Sequence, residues 1–472
     1  MESRRVFESD KVFHLALVIG SSALMALALT GCKGIPTQAE RTARRDLRSV
    51  HSAFRPPAAE NHPPVLTNGS VLGDYLRIAM LNQPSVEAAY FDWAASVEQI
   101  TVDRSLPDPR LTFESDIAEI VMTVMPGLMQ EFPGPGKLKA AANVAAAAGQ
   151  AKYFAFETSV LETAFSLKRS YYQLWFLDEN IRINRHTLDL LAEFEKIART
   201  QNEVGKVTLQ DVYRAQIEQD QLTTEIANLE DSRRPLIAQL KGALGLRRDQ
   251  PDPPPPSRFE STPLELQGDA LLDTAFARNP RLKAMEADVR MAEAGIALAR
   301  KSRVPDFSLG LMADAKASPT MFRPLAGATL PLWRDKIAAQ VAQAQASKRA
   351  AEARLTREQI MVTVDFAMKS YEFREITRTL ALLRDKLIPK ARQSLEIARA
   401  GYLSGQIDFF NLLDAERTLL NFQLQEVEAR TRREIVLAAL SLSIAGLAPE
   451  GAPILPATPG AATQPLPRTT EP

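Results

Sequence analysis

Residues 205–216 read GKVTLQDVYRAQ, and residues 405–416 read GQIDFFNLLDAE. Each stretch opens on a glycine that follows a long run with few turn signals, and each carries an oxygen-bearing side chain soon after, Thr208 or Asp408. Glycine ends a helix well because it accepts the left-handed conformation. A Thr or Asp just beyond it supplies the oxygen that caps the next helix. Both stretches therefore read as tips where one long helix folds back into another. The same tip written twice means that the chain is duplicated.

Other matches keep the same order. Asn82-Gln83-Pro84 answers Arg278-Asn279-Pro280, and Leu106-Pro107-Asp108 answers Val304-Pro305-Asp306. Phe132-Pro133 answers Leu330-Pro331, with Lys137 and Lys336 just beyond, and Ser170-Tyr171 answers Ser370-Tyr371. One such match is noise, but five in order at a near-constant offset are a repeat. Between the halves lies DQPDPPPPSRFESTP (249–263), which cannot continue a helix. The expected organisation is a first repeat over 70–247, a Pro-rich linker over 248–265 and a second repeat over 266–447. The tail 448–472, rich in Pro, Ala and Thr, is expected to be disordered.

Each half has the same internal plan. A helical segment (70–104, then 268–302) leads into LTFESDI (111–117) or FSLGLMA (307–313), whose alternating apolar residues predict strands. Second strands are expected over 119–132 and 320–332, although Pro126 and Pro324 interrupt them. Long helices follow. Only Gly149 breaks 138–202, and only Pro389 breaks 337–400. At 1.5 Å per residue such a run extends about 95 Å, too long for a compact domain to bury. Its apolar spacing is that of helix pairs: Phe373, Ile376, Leu380, Leu383 and Leu387 step by three and four. Leu174, Leu177, Ile181, Asn184, Leu188 and Leu191 do the same, as do Val212, Ala215, Gln219, Leu222, Ile226 and Leu229. Asn184 and Gln219 read as polar seam residues that set register rather than as catalytic groups.

The chain of 472 residues has one cysteine, Cys32, which excludes an internal disulfide and a cysteine metal cage. Arg4, Arg5 and Lys11 precede an uncharged apolar interval that closes on Leu29-Thr30-Gly31-Cys32. This pattern resembles a bacterial lipoprotein signal, which would make 1–31 a signal peptide and Cys32 the lipid-bearing N-terminus, followed by an extended segment over 32–69. Lys33, in place of Asp, favours sorting to the outer membrane by the same resemblance. An uncleaved membrane helix is the alternative, but it has no need of Gly-Cys at its end. Acyl chains would anchor the chain without spanning, at about 0.8 kcal/mol per buried methylene. Lys plus Arg and Asp plus Glu both number 57, so no net field draws the chain to nucleic acid. No second long apolar run exists in the sequence, so any crossing of a membrane falls to strands.

Four strands cannot close a membrane barrel, since the smallest single-chain barrels use about 8. The strands must be shared among copies, and three copies would supply twelve. The order of elements, the duplication, the Asn and Pro near the start of each half (Asn82-Gln83-Pro84, Asn279-Pro280) and the SGQIDFFNLLDAE tip (404–416) together resemble the TolC-type outer-membrane efflux factors. The resemblance covers roughly residues 70–447, and QEFPGPGKL (130–138) is similar to the heavy-metal branch serving cobalt-zinc-cadmium or copper exporters. It implies a mainly α fold with a small β part: long antiparallel coiled-coil helices forming a periplasmic α-barrel, and four strands per chain in a trimeric 12-stranded β-barrel. It also implies a homotrimer in outer-membrane lipid, docked through a periplasmic adaptor to an inner-membrane pump of RND type.

By that resemblance, Val204, Gly205, Lys206 and Val207, with Ser404, Gly405, Gln406 and Ile407, match the turns that contact the adaptor. An ordinary helix cap would account for them too, and one turn can serve both ends. Asp211 and Asp414 match positions lining the closed periplasmic entrance, and Tyr402 falls where relatives place a gate aromatic. Asn411 stands where some relatives carry another acid, which would weaken the ring. Three copies of an acid around a constriction attract cations, whereas a single Asp near a helix N-terminus also serves as dipole compensation. His14, His51, His62 and His186 are dispersed, so no resident metal site is expected. Met122, Met125 and Met129 read as apolar packing or lipid contact rather than soft-metal ligands. GPGK (134–137) lacks the leading Gly and trailing Ser/Thr of a phosphate loop. No nucleophile-base constellation or cofactor motif is present in the sequence, so no catalysis is expected. A passive exit duct is the leading reading; the alternative is a lipid-anchored periplasmic adaptor or a coiled-coil envelope scaffold without a pore. An adaptor carries one hairpin flanked by β-rich domains, where this chain has two hairpins and two isolated strand pairs. A scaffold would have no use for paired strands.

Overall fold

The computed structural model describes residues 35–54, 65–118, 121–261, 268–314 and 321–449. Cys32 and the expected signal segment 1–31 lie outside the described residues, as does the tail from residue 450. In the first half α1 (Gln38–Phe54), α2 (Leu72–Asn82) and α3 (Pro84–Arg104) precede β1 (Arg110–Ala118) and β2 (Val121–Phe132), and then α4 (Lys137–Glu203) and α5 (Leu209–Ala243). In the second half α6 (Gly268–Arg278) and α7 (Pro280–Lys301) precede β3 (Phe307–Asp314) and β4 (Met321–Ala328). Helices α8 (Arg334–Leu382), α9 (Ile388–Ser404) and α10 (Phe409–Ala438) complete it. The molecule is mainly helical with one small antiparallel sheet.

The elements differ from expectation where backbone chemistry intervenes. The predicted segments 70–104 and 268–302 are each two helices, because the residue before proline avoids the helical conformation. Gln83 (ψ 120°) and Asn279 (ψ 117°) are extended, Pro84 and Pro280 begin the next helix, and the Asn279 side chain accepts a hydrogen bond from the Arg281 N–H. The run 337–400 is likewise divided. Pro389 has no N–H to give, and the helix absorbs the missing bond in a widened π turn over Leu383–Leu387. β4 stops at Ala328 rather than 332, and β2 is described from Val121, since residues 119–120 lie outside the described set.

The segment 32–69 is not extended throughout, because Gln38–Phe54 folds as α1. Its Val50 and Phe54 are buried in the main core. Glu40, 1% exposed, accepts hydrogen bonds from Arg44, Thr101 and Arg104, which fastens α1 to α3. A carboxylate this buried is tolerable only because its charge is fully paired. The Pro-rich linker is also held: Tyr75, Tyr171 and Tyr172 donate their hydroxyls to the carbonyls of Pro254, Arg258 and Glu260. Arg430 lies 3.9 Å over the Phe259 ring. Proline prevents helix here, and three tyrosines turn the resulting extended chain into a strap across α4.

Helix α4, 67 residues and about 100 Å long, is the axis of the layer. It packs against α3 and α5 and also against α7 and α10, while α8 and α9 pack on α7 and α10. The layer therefore ends in α3 and α5 at one edge and α8 and α9 at the other. Each returning helix meets the start of its own half. A Cβ on Gly245 would lie 2.6 Å from the Asn82 carbonyl, and one on Gly446 3.0 Å from that of Arg278. Both glycines have positive φ, 70° and 65°. The segments Asn82-Gln83-Pro84 and Asn279-Pro280 thus mark the belt where each helical hairpin is tied back.

The four strands form a single sheet in the order β1-β2-β3-β4. The β2–β3 ladder begins at Gly127, one residue past Pro126, and Pro324 lies on the edge strand β4. In both places the missing N–H costs little. The register aligns Leu111, Leu128, Leu311 and Pro324 in one row. Leu111, Phe113, Leu128, Phe307, Leu309, Leu311 and Phe322 are exposed on that face. Arg110, Glu114, Glu131, Asp314 and Arg323 fall on the opposite face by the two-residue alternation. Met125 is buried there and Met129 half-buried, as packing residues.

Candidate functional site at the helical tips

The two predicted tips are one structure. Leu191, Phe194, Val212 and Leu222 of the first hairpin share a buried cluster with Leu395, Tyr402, Phe409, Leu412 and Leu419 of the second. The sequence shows two hairpins; packing merges them into a four-helix end made of α4, α5, α9 and α10.

Each turn is closed by the same bonds. Lys206 N–H donates to the Gln201 carbonyl at 2.9 Å, and Gln406 N–H to that of Gly401 at 2.8 Å. Gly205 and Gly405 sit at φ 72° and 76°. This is the Schellman arrangement, and it explains glycine at both positions. Asp408 caps α10 through its side chain, accepting from Asn411 N–H at 2.9 Å. Thr208 does not repeat it: the backbone is placed for a cap, but no side-chain cap bond forms. Val204, Gly205, Lys206, Ser404, Gly405 and Gln406 are exposed and Val207 and Ile407 half-buried, so the turns present both backbone and side chain.

The four predicted gate residues separate into two sets. Tyr402 is 3% exposed, packs 5.2 Å from the Phe409 ring, and lies in the field of Asp211 from the other hairpin. Burial first, and then the Asp211 charge, push its hydroxyl up to about 12. Its oxygen has no hydrogen-bond partner among the described residues. Burial raises Asp211 above its ordinary value, Arg214 opposes this, and Asp408 adds to it. Asp414 and Asn411 are exposed; the Asp414 charge reaches Arg417, whereas Asn411 serves the cap through its backbone.

Contacts unforeseen in the sequence tie the hairpins together. Arg417 of α10 pairs with Glu218 of α5, and Arg214 lies 5.9 Å from the Phe410 ring centroid. Gly401 is a second constraint, since a Cβ there would stand 2.6 Å from the Ile407 side chain. Its signal was a glycine four residues before the tip glycine, inside a helix. Glu416 is 2% exposed. Burial pushes its carboxyl up to about 7, against a hydrogen bond from Thr187 and with help from Glu218. Its position on the apolar stripe Phe409, Leu412, Leu413, Leu419 was the readable sign.

Among the described residues no three His, Cys, Asp or Glu side chains come together as a metal site. No described helix is long and apolar enough to cross a membrane. The tips present exposed turn residues and charged side chains.

Residues 76–246 and 271–446 match the family model described as outer membrane efflux protein. The chain is 24% identical over 270 residues to the cobalt-zinc-cadmium resistance protein CzcC of Cupriavidus metallidurans, covering 54% of this chain and 61% of that one. It is 24% identical over 285 residues to the probable outer membrane lipoprotein SilC of Salmonella typhimurium, covering 57% and 60%. The match thus spans about three-fifths of the length of either curated relative. In fold it is similar to CusC, solved in a study of folding and transmembrane channel formation, with a TM-score of 0.70 at 16% identity over 83% of this chain and 98% of that one.

Proposed function

The chain belongs to the outer membrane efflux protein family, and from this we propose that it is the outer-membrane exit duct of a tripartite efflux pump. Three copies would close their sheets into a twelve-stranded barrel, and their helical layers would continue it as a periplasmic tunnel. A lipid on Cys32 would hold each copy in the outer membrane. An adaptor would grip the turns 204–207 and 404–407 and connect the tunnel to an inner-membrane pump.

One observation carries this reading. The sheet has an uncharged, largely exposed apolar face, and both of its edges, β1 and β4, are unpaired among the described residues. In water that is an aggregation hazard; in lipid it is a segment of barrel wall, where edges are intolerable and outward apolar residues are required. At the tips, a ring of Asp211 and Asp414 from each copy would draw cations to the entrance, and movement of an adaptor would part it. Heavy-metal cations are the favoured cargo, because CzcC is named for cobalt, zinc and cadmium resistance. The duct itself need not recognise what passes.

The test is reconstitution of the lipidated protein in planar bilayers. Trimers with discrete conductance steps are expected; a monodisperse water-soluble monomer without conductance would overturn the reading. Deleting the gene should sensitise cells to cobalt, zinc, cadmium or copper salts. Sensitivity to dyes and antibiotics alone would reassign the cargo while leaving the duct.

A further inference from the structure

At the base of the sheet one carboxylate bridges the two halves of the chain. Asp306, just before β3, accepts from the Gly134 N–H at 2.7 Å and from the Lys137 Nζ at 2.7 Å. Both donors lie between β2 and the first turn of α4, so the bond crosses from the second half to the first. The duplication places a copy of each partner elsewhere. Asp108 stands before β1 as Asp306 stands before β3, and Lys336 lies in the first turn of α8 as Lys137 does in α4.

These copies cannot meet within the chain. Asp108 sits at the β1 edge and Lys336 beyond the β4 edge, at opposite ends of the sheet. Both are exposed, and neither has an ion-pair partner among the described residues. The surface around Lys336 is also uncovered: Leu330, Leu332 and Trp333 are 66%, 74% and 78% exposed. Their first-half counterparts, Phe132, Gly134 and Pro135, are Phe132 half-buried, Gly134 buried and Pro135 exposed.

We propose that Asp108 of one copy of this chain pairs with Lys336 of its neighbour, repeating between copies the Asp306–Lys137 lock seen within each. This deepens the duct reading above and rests on it for the existence of a ring. The apolar patch of Leu330, Leu332 and Trp333 is then covered by the neighbour's α3–β1 junction. The copy is not perfect. A Cβ on Gly134 would stand 2.3 Å from the Pro305 carbonyl, whereas Leu332 at the matching place carries one. The backbone half of the lock is therefore given up, and the seam between copies is wider than the seam within.

The test uses the full lipidated protein with Asp108→Cys and Lys336→Cys in one chain, treated with a short bifunctional thiol reagent. A ladder of covalent dimers and trimers is expected, while each single variant gives none. A double variant that still runs as a trimer on gel filtration but cross-links no better than the singles would overturn the lock. A second arm avoids thiols. Asp108→Lys should make the trimer dissociate in detergent at lower temperature, and adding Lys336→Asp should restore much of the loss; no loss, or no restoration, counts against the pair. If the unmodified protein forms no trimer at all, the duct reading fails instead, so the two failures are distinguishable.

Discussion

Gly405 and Gly205 show how narrow the demands at a single residue can be. Their φ of 76° and 72° is a conformation in which a Cβ crowds the following carbonyl, so an alanine at either tip should cost about 1–2 kcal/mol in thermal melts. Gly401 differs in cause: its φ is ordinary, but Ile407 occupies the space a methyl needs. Gly401→Ala should therefore destabilise by about 1–3 kcal/mol, and Ile407→Ala added to it should recover most of the loss, whereas it should not rescue Gly405→Ala. Glu416 makes a pH-dependent prediction. Burial raises its folded value to about 7 from 4.5, so between these limits the folded state holds a proton that the unfolded chain has released. Stability from this group is complete below about pH 4.5 and is lost as the pH rises through 7, a span of order 3 kcal/mol. Glu416→Gln should flatten that slope and stabilise the protein at pH 8 in urea melts. Tyr402→Phe removes a buried hydroxyl without a partner among the described residues, so it should leave stability unchanged or raise it by up to about 1 kcal/mol.

Among the elements, the strap over α4 has the least obvious origin. Four consecutive prolines forbid helix, yet the hydroxyls of Tyr75, Tyr171 and Tyr172 hold this segment down. Replacing Tyr171 and Tyr172 together by Phe keeps the ring packing and removes two hydrogen bonds, worth about 1 kcal/mol each. Limited proteolysis should then cut within 248–261 at a rate several-fold above that of the unaltered chain, while the helical content by circular dichroism is unchanged. The tips form the second case. Arg417 and Glu218 join α10 to α5, so in the proposed duct an adaptor that displaced one hairpin would also have to break this pair or carry the other hairpin along. Arg417 is about half exposed, which limits the stability the pair supplies. Its removal should affect gating more than melting: Arg417→Ala should raise the open fraction in single-channel records with little change in melting temperature.

For the molecule as a whole, incompleteness is the governing property. The layer of helices and the sheet run out at matching sides, α3 with β1 and α8 with β4, and the proposed ring would set a copy of the same chain against both. With the ring closed, Asp211 and Asp414 would set the charge of the entrance, and replacing both by Asn should lower cation selectivity in reversal-potential measurements; unchanged selectivity would remove them from the gate. The duplication, the long helices, the hairpin tips and the strand pairs were all readable from the amino acids, because periodicity, glycine and proline act within a few residues of where they stand. The same local rules read Asn82-Gln83-Pro84 and Asn279-Pro280 as a repeat mark without showing that each breaks the first helical segment of its half. They also left 32–69 extended, since α1 is kept by a buried Glu40 and its two distant partners, Thr101 and Arg104. The approach of the Asp211 charge to Tyr402, the burial of Glu416 and the Asp306–Lys137 lock were decided only in three dimensions. They depend on which groups lose water against residues far along the chain, and that is fixed by packing rather than by spacing.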